Sequence, residues 1–425
     1  MWEHTSMARK YLFFKLALFF LVGFLSSCRN TNGANISPVD IGSTGPISID
    51  KEKIPFIVDE DITVQVTPFI KFELNGADEA LIVFPAEPLE IGEEFDVIIT
   101  KDELVHIHKT RVRQPCLVYL GNITNEPEIW QFCGQENIPL TQTEGKVVDF
   151  SVSRSGSWIV YAARNEKGGT DIWKMDREGK NKEKVYACGE VACNNLAIDP
   201  WGLTIAFYSK RADGELILFS INENQAVLIE RGNISNVDFS PNGQFLRYFE
   251  NNKRCLRVLD IDNVDLIQTI ESDSDLIGSW RLDSSSFLFG MQNYWGGIAG
   301  IEIFEVNVGT GSLVKLFDGQ GLSINYFQPT YIKNENLVVL VRTGFNSNSK
   351  QIWVIDKDGK KIFEITNHYQ YDHSALSWNS AEEKLAFQRY LLTSSDSLPE
   401  VWVWENQNNQ FQLIAKNAAR AIWIP

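Results

Sequence analysis

The chain offers five histidines as imidazole bases or metal ligands. His106 and His108 stand two apart in Leu104-Val105-His106-Ile107-His108. As a strand, that segment puts both rings on one face. Two imidazoles begin a metal site, but zinc takes three or four ligands, so a polar strand face is the expectation. His368, Asp372 and His373 fall in a loop between repeats and are read the same way. Asp176-x-x-Gly179 and Asp356-x-Asp358-Gly359 start like calcium loops but lack the further carboxylates such loops need. Hairpin turns account for them. No Gly-x-Ser-x-Gly elbow, His-Glu-x-x-His helix or Walker loop occurs in the sequence. No catalytic residue, metal ligand or cofactor is therefore assigned.

Aromatic residues are the other candidates for contact chemistry. Trp130, Trp173, Trp353 and Trp402 recur at one place in a repeat described below. Recurrence at the repeat period marks a packing position rather than a ligand cage. Tyr294-Trp295-Gly296-Gly297 breaks the repeat inside its longest gap. Tyr294 and Trp295 are expected on an exposed loop that contacts a partner.

Cysteine use points to an oxidising compartment. Cys116 and Cys133 lie at opposite ends of a strand–turn–strand segment, and a bridge between them is expected. Cys188 and Cys193 flank Gly189-Glu190-Val191-Ala192 and form a second candidate pair. Cys255 is left as a buried thiol. The alternative is that all five are reduced core residues.

The elements that must position these groups come from the whole chain. Its 425 residues are 44% hydrophobic, 12% aromatic and 22% charged, the profile of a folded protein. A formal charge of −16 argues against nucleic acid as a partner, because phosphate binding needs a basic face. The wealth of aromatic residues reads as strand-rich.

The N-terminus has basic residues at Arg9 and Lys10, an apolar run from Leu16 to Leu25, then Ser26-Ser27-Cys28. These are the parts of a secretory signal over residues 1–27. The run is too short to span a bilayer, which takes about 20 apolar residues. Leu25-Ser26-Ser27-Cys28 resembles the lipobox of bacterial lipoproteins. That resemblance implies cleavage before Cys28 and a lipid anchor on it. The expected location is the outer face of the cytoplasmic membrane or the outer membrane. Residues 28–50, rich in Asn, Gly, Ser and Pro, read as a flexible tether.

A repeat fills the body of the chain. Phe239-Ser240-Pro241-Asn242-Gly243 is an apolar residue and a tight turn, followed by the alternating strand Phe245-Leu246-Arg247-Tyr248. The same shape returns with its turn at 156, 202, 243, 284, 335 and 382, at spacings of 46, 41, 41, 51 and 47 residues. A period in the forties with four short strands is the size of a β-propeller blade. Third strands include Asp171-Ile172-Trp173-Lys174-Met175-Asp176 and Ile352-Trp353-Val354-Ile355-Asp356. Fourth strands include Val227-Leu228-Ile229 and Ile362-Phe363-Glu364-Ile365-Thr366. Ala421-Ile422-Trp423-Ile424-Pro425 matches a first strand and its turn, and the remainder of that unit lies near residue 115. The expected fold over 114–425 is an all-β, seven-bladed propeller closed by the C-terminal strand. It has six blades if the weak unit at Tyr331 is not a true repeat.

The turn-plus-strand unit, with its Ile-Trp-x-Met-Asp strand, resembles the WD40-like repeats of the TolB family. It also resembles the propeller that precedes prolyl-oligopeptidase-type hydrolases. The resemblance covers 115–425. The hydrolase likeness implies a Ser-Asp-His domain after the propeller. The sequence stops at Pro425, so no peptidase activity is expected.

Between tether and propeller, residues 51–113 carry alternating, β-branched runs such as Phe95-Asp96-Val97-Ile98-Ile99-Thr100, with Asn75-Gly76 as a hairpin turn. Pro88-Leu89-Glu90-Ile91-Gly92-Glu93-Glu94-Phe95 resembles the late part of bacterial Ig-like domains, which implies a small β-sandwich. The functional expectation is an anchored, non-catalytic binding or scaffold module that docks an envelope protein or peptide. The alternative is a propeller-type enzyme acting on glycans, a hydrolase or lyase with carboxylates in its channel.

Overall fold

A computed structural model describes residues 38–42, 47–59, 61–76, 80–86, 89–273, 275–295, 298–317, 326–332, 336–343, 349–393 and 397–425. The expected signal segment, residues 1–27, and Cys28 lie outside these residues. Among them no helix is long and apolar enough to cross a membrane, and the one helical turn is Lys51–Lys53.

Alternating runs form strands because one face of each strand can be buried. Seven four-stranded antiparallel sheets result. The first holds Cys116–Gly121, Glu128–Cys133 and Glu136–Pro139, with Ala418–Ile424 from the far end of the chain. Ile424 pairs with Cys116 and Ala418 with Gly121. The other six follow in chain order, and each starts with the strand nearest the centre. Those inner strands are Val147–Val152, Cys193–Ile198, Ile234–Phe239, Leu276–Trp280, Tyr326–Ile332 and Tyr371–Asn379.

Each sheet shares a core with the next. Val118 and Ile129 of the first sheet meet Phe150 and Ile159 of the second. Val160 and Ile172 meet Ile205 and Phe207 of the third. The series continues sheet by sheet. Val401 and Val403 of the seventh sheet then meet Leu117, Tyr119 and Ala418 of the first.

The tight turns after the inner strands explain their glycines. Gly202 and Gly243 have φ of 77° and 67°, the left-handed region that glycine enters without steric cost. They also lack room: a Cβ on Gly202 would lie 2.3 Å from Trp158, and one on Gly243 would lie 2.3 Å from Trp201. Each turn thus rests on the turn of the preceding sheet.

The N-terminal unit is a two-sheet sandwich. One sheet orders Val39–Ile41, Leu104–Val112, Glu94–Lys101 and Thr63–Thr67. The other orders Ile47–Asp50, Ala80–Pro85 and Phe72–Gly76. Phe95, Val97 and Ile99 of the first sheet pack on Ile47, Ile49 and Val83 of the second.

Two sequence expectations fail here. The tether does not run to residue 50, because residues 39–41 and 47–50 are strands. Val39–Ile41 pairs in parallel with Leu104–Val112, and Ile41, Ile47 and Ile49 are buried. Their short apolar alternation is hidden among Gly, Ser and Pro. The domain therefore begins near 39 and not at 51. Asn75-Gly76 is not a turn either: both residues pair in the ladder, with Ile82 and Leu81.

The sandwich meets the propeller at the turns that follow the inner strands. Phe84 sets its ring edge-on to Trp201 at 6.4 Å. Arg113 donates to Ser155 O at 2.9 Å and to Pro425 O at 3.3 Å. Gly42 packs on Pro425 so closely that a Cβ would lie 2.7 Å away.

Candidate functional site: the central channel

The inner strands surround a cavity of about 540 Å³, continuous with one of about 280 Å³ toward the sandwich through Arg154, Asp238, Trp280 and Trp378. Antiparallel order puts the turns between second and third strands on the face where the inner strands start. The wider cavity is lined from the bulges of the inner strands to the turns at their ends, among them Asn236, Gln328, Arg154 and Ser380.

Every inner strand carries a register shift against its neighbour. The shifts fall between 147/149, 194/197, 235/238, 277/280, 327/330, 374/377 and 419/422. A bulge of this kind bends the strand and re-aims a side chain. Asn195, Asn236, Gln328, Ala375 and Arg420 sit at these bulges with φ of 50°, 53°, 51°, 52° and 55°.

The bulges build a girdle of hydrogen bonds between neighbouring sheets. Arg420 Nη1 donates to Asp149 Oδ1, linking the first sheet to the second. Leu196 N donates to Asp149 Oδ2 at 3.1 Å, linking second and third. Asn195 Nδ2 donates to Ile234 O at 3.0 Å, and Asn236 Nδ2 donates to Asp275 O at 2.8 Å. Tyr331 N donates to Ser279 Oγ at 2.8 Å, and Ala375 N donates to Gln328 Oε1 at 2.6 Å. Trp423 N donates to Ser377 Oγ at 3.0 Å, joining the seventh sheet to the first. Sequence reasoning missed these residues, although a signal exists. Asp149, Asn195, Asn236, Gln328 and Ala375 all stand seven positions before the turn residue of their repeat.

The wall combines guanidinium groups, Arg154, Arg247 and Arg420, with Trp280, Trp378, Gln328 and small hydroxyls. Asp238 is the one carboxylate among the described lining residues. It accepts from Arg247 Nη2 at 2.8 Å. Arg247 is buried, and burial lowers its pKa while Asp238 opposes the shift. Tyr331 is pushed up by burial, with Glu305 adding to the rise.

The residues singled out from sequence fall elsewhere. Cys116 is bonded to Cys133 with a Cα–Cα distance of 4.7 Å, and Cys188 to Cys193 at 6.3 Å. Cys255 is a buried free thiol. Tyr294 and Trp295 are not on a loop. Their backbone extends the strand Ser286–Trp295 and pairs with Ala299 and Ile298 of Ile298–Asn307. The inserted residues simply lengthen both arms of the hairpin. The side chains of Tyr294 and Trp295 lie outside the described set. Trp173 stacks on Tyr161 at 6.4 Å, and Trp402 lies under Arg389 at 3.7 Å. Trp353 lies between Arg342 and Lys361 at 3.8 and 3.6 Å. Trp130 packs in the core of first and seventh sheets. Asp176 and Asp356 accept from Lys180 N and Lys360 N at 2.6 and 2.8 Å, closing hairpin turns. His106 and His108 are both lowered by burial, and no group of three metal-ligating side chains occurs among the described residues.

Two buried groups give opposite pH dependence. Burial pushes the Asp199 carboxyl from 3.8 up to about 6, against the pull of the backbone amides of Thr204, Leu203 and Gly202. Burial pushes His373 from 6.5 down to about 4, against its hydrogen bond to Lys350 O. Between these limits the folded chain holds a proton on Asp199 that the unfolded chain gives up, so this group's contribution falls as pH rises. For His373 the unfolded chain takes the proton first, so stability is lost as pH falls below 6.5. The two slopes oppose each other between pH 4 and 6. Asp199→Asn will therefore make urea-melt stability climb with pH in this window by ~2 kcal/mol more than in the parent. Parallel profiles for the two proteins would refute the assignment to Asp199.

No protein-family model matches the chain, and no curated protein matches it. Solved structures do match. A prolyl endopeptidase, from a study of two such enzymes and their inter-domain dynamics, superposes with a TM-score of 0.50 at 10% identity. That match covers 78% of this chain and 49% of the endopeptidase, so the chain spans about half of it. The β-propeller domain of the Trilobed protease from Pyrococcus furiosus gives 0.49 at 14% identity, over 64% of this chain and 83% of that one. TolB from Acinetobacter baumannii gives 0.44 at 10% identity, over 86% and 83%. At 10% identity the endopeptidase likeness speaks for fold alone. With the sheet order above, it is consistent with the class: an all-β protein of the β-propeller kind.

Proposed function

We propose that the chain is an exported lipoprotein held by lipid on Cys28, on the outer face of the cytoplasmic membrane or on the outer membrane. In this reading the seven sheets are the blades of a closed, TolB-like propeller, and Ala418–Ile424 completes the first blade. The sandwich is its Ig-like module. The propeller serves as a non-catalytic docking module for an envelope protein or peptide.

The observation that carries the reading is the make-up of the channel. Its bulge residues are engaged in holding sheet to sheet. What faces the lumen is aromatic, hydroxyl, amide and guanidinium, groups that bind by contact. A glycan hydrolase of the two-carboxyl kind would need a second carboxyl roughly 5–10 Å from Asp238. Asp238 is instead paired with Arg247. We assign the long hairpin Ser286–Asn307, with Tyr294 and Trp295 near its end, to the rim that receives the partner.

Two experiments test this. Cys28→Ala will move the protein from the membrane to the soluble fraction of cells; retention on the membrane removes the anchor. Ser151 lines the wider cavity and has room beside it. Ser151→Trp will plug the lumen, and cross-linked capture from the envelope will lose its stoichiometric partner while a Glu223→Trp control on an outer turn keeps it. Capture unchanged by the plug would place docking outside the channel.

A further inference from the structure

We infer that the end of the sandwich remote from the propeller rests on the lipid surface, with Ile57, Leu104, Val105 and Ile107 at the contact. The inference rests on the proposed anchor at Cys28. The strand Leu104–Val112 runs the length of the sandwich, and its Val112 end leads into Arg113, which is bonded to the propeller. Its nine residues put Leu104 about 27 Å from that junction. Lys101 pairs with Leu104 to close the hairpin at this far tip. Ile57 is fixed at the same tip, because Lys101 Nζ donates to Ile57 O at 3.2 Å.

The chain approaches from this side. Val39–Ile41 is parallel to Leu104–Val112, with Val39 opposite Thr110 and Ile41 opposite Val112. Its upstream end therefore points to the Leu104 tip. From Thr110 back to Leu104 is six residues, about 20 Å of strand. Residues 28–37 can span at most roughly 35 Å. A lipidated Cys28 thus reaches past the tip by only about 15 Å. With the sandwich upright, a fully extended tether holds the tip within about 15 Å of the bilayer.

Its surface suits that place. Ile57, Leu104, Val105 and Ile107 are 77%, 52%, 55% and 42% exposed, an aliphatic cluster that water alone does not favour. Asp102 and Glu103 occupy the turn, and Lys101 is paired with Asp59. This charge balance gives no pull toward anionic headgroups, so the contact is shallow and apolar, at the headgroup boundary.

The test uses the full-length lipidated protein in phosphatidylcholine vesicles, with an environment-sensitive fluorophore on Val105→Cys, on Ile57→Cys, or on Glu223→Cys as control. All three sites are exposed, whereas Cys255 is buried. Labels at 57 and 105 will be quenched by aqueous iodide at least about threefold less than the label at 223, and quenched more by brominated lipid. Flotation with the vesicles but equal quenching at all three sites would overturn the contact and leave the anchor standing. Failure to float would remove both.

Discussion

Ile424→Asp will lower the melting temperature by roughly 10 °C or more, while Ile138→Asp will leave it within about 2 °C. Both substitutions put a carboxylate on a strand of the first sheet. Ile138 lies on the outermost strand and is half exposed, so its new charge stays in water. Ile424 is fully buried between the first and second sheets, against Cys116, Val118, Phe150 and Ile159. An unpaired carboxylate there loses its hydration, and the apolar contacts are lost as well. The cost is about 4 kcal/mol or more. The terminal strand also carries Ala418 and Ala421 in the core with the seventh sheet, the Arg420–Asp149 contact and the Trp423–Ser377 hydrogen bond. Weakening it opens the Cys116–Gly121 edge, which would then offer unpaired backbone groups to other chains. Scanning calorimetry of the two variants decides the matter. Equal melting temperatures would mean that the terminal strand is not part of the cooperative unit.

Much of the propeller could be read from the sequence because its signal repeats. The Pro-Asn-Gly turn at 241–243 and the alternation in Phe245-Leu246-Arg247-Tyr248 recur with a blade's period, and the strand Phe245–Glu250 lies where they put it. Likewise the third strands read at 171–176 and 352–356 are Thr170–Asp176 and Lys350–Asp356. The sandwich was harder. Ile47 and Ile49 give one alternation within a Gly, Ser and Pro-rich run, and their partners Val83 and Leu81 lie more than thirty residues away. The channel was harder still. Its bulges interrupt alternation where the sheet-to-sheet hydrogen bonds form, so a period-two reading passes over Asn195, Asn236 and Gln328. Their bonding partners belong to other sheets: Arg420 and Asp149 are 271 positions apart. No local pattern encodes such a pair.

Arg247→Ala will destabilise the fold by about 3–5 kcal/mol, and Arg247→Lys will recover less than half of that. Arg247 is 2% exposed on the second strand of the fourth sheet. Its Nη2 donates to Asp238 Oδ2 at 2.8 Å and to Gly278 O at 2.6 Å, so one planar group ties the fourth sheet to the fifth. The guanidinium also lies over the rings of Trp280 and Phe287, at 4.6 and 4.9 Å. Truncation to Ala takes the donor from the part-buried Gly278 carbonyl, removes the cation–π contact and leaves a hole beside two aromatic rings. Lysine restores charge but not the fork, and an ammonium cannot serve both acceptors and lie flat on the rings. Asp238 should matter less. Half of its side chain is exposed, so Asp238→Asn will cost no more than about 1 kcal/mol. The asymmetry is the diagnostic result in urea melts of the three variants. If Asp238→Asn cost as much as Arg247→Ala, the ion pair would be the source of stability. If Arg247→Ala alone is costly, the source is the bridge to Gly278 O and the stacked rings. That outcome is expected, because Arg247 is buried against Trp280 and Phe287 while half of the Asp238 side chain is in water.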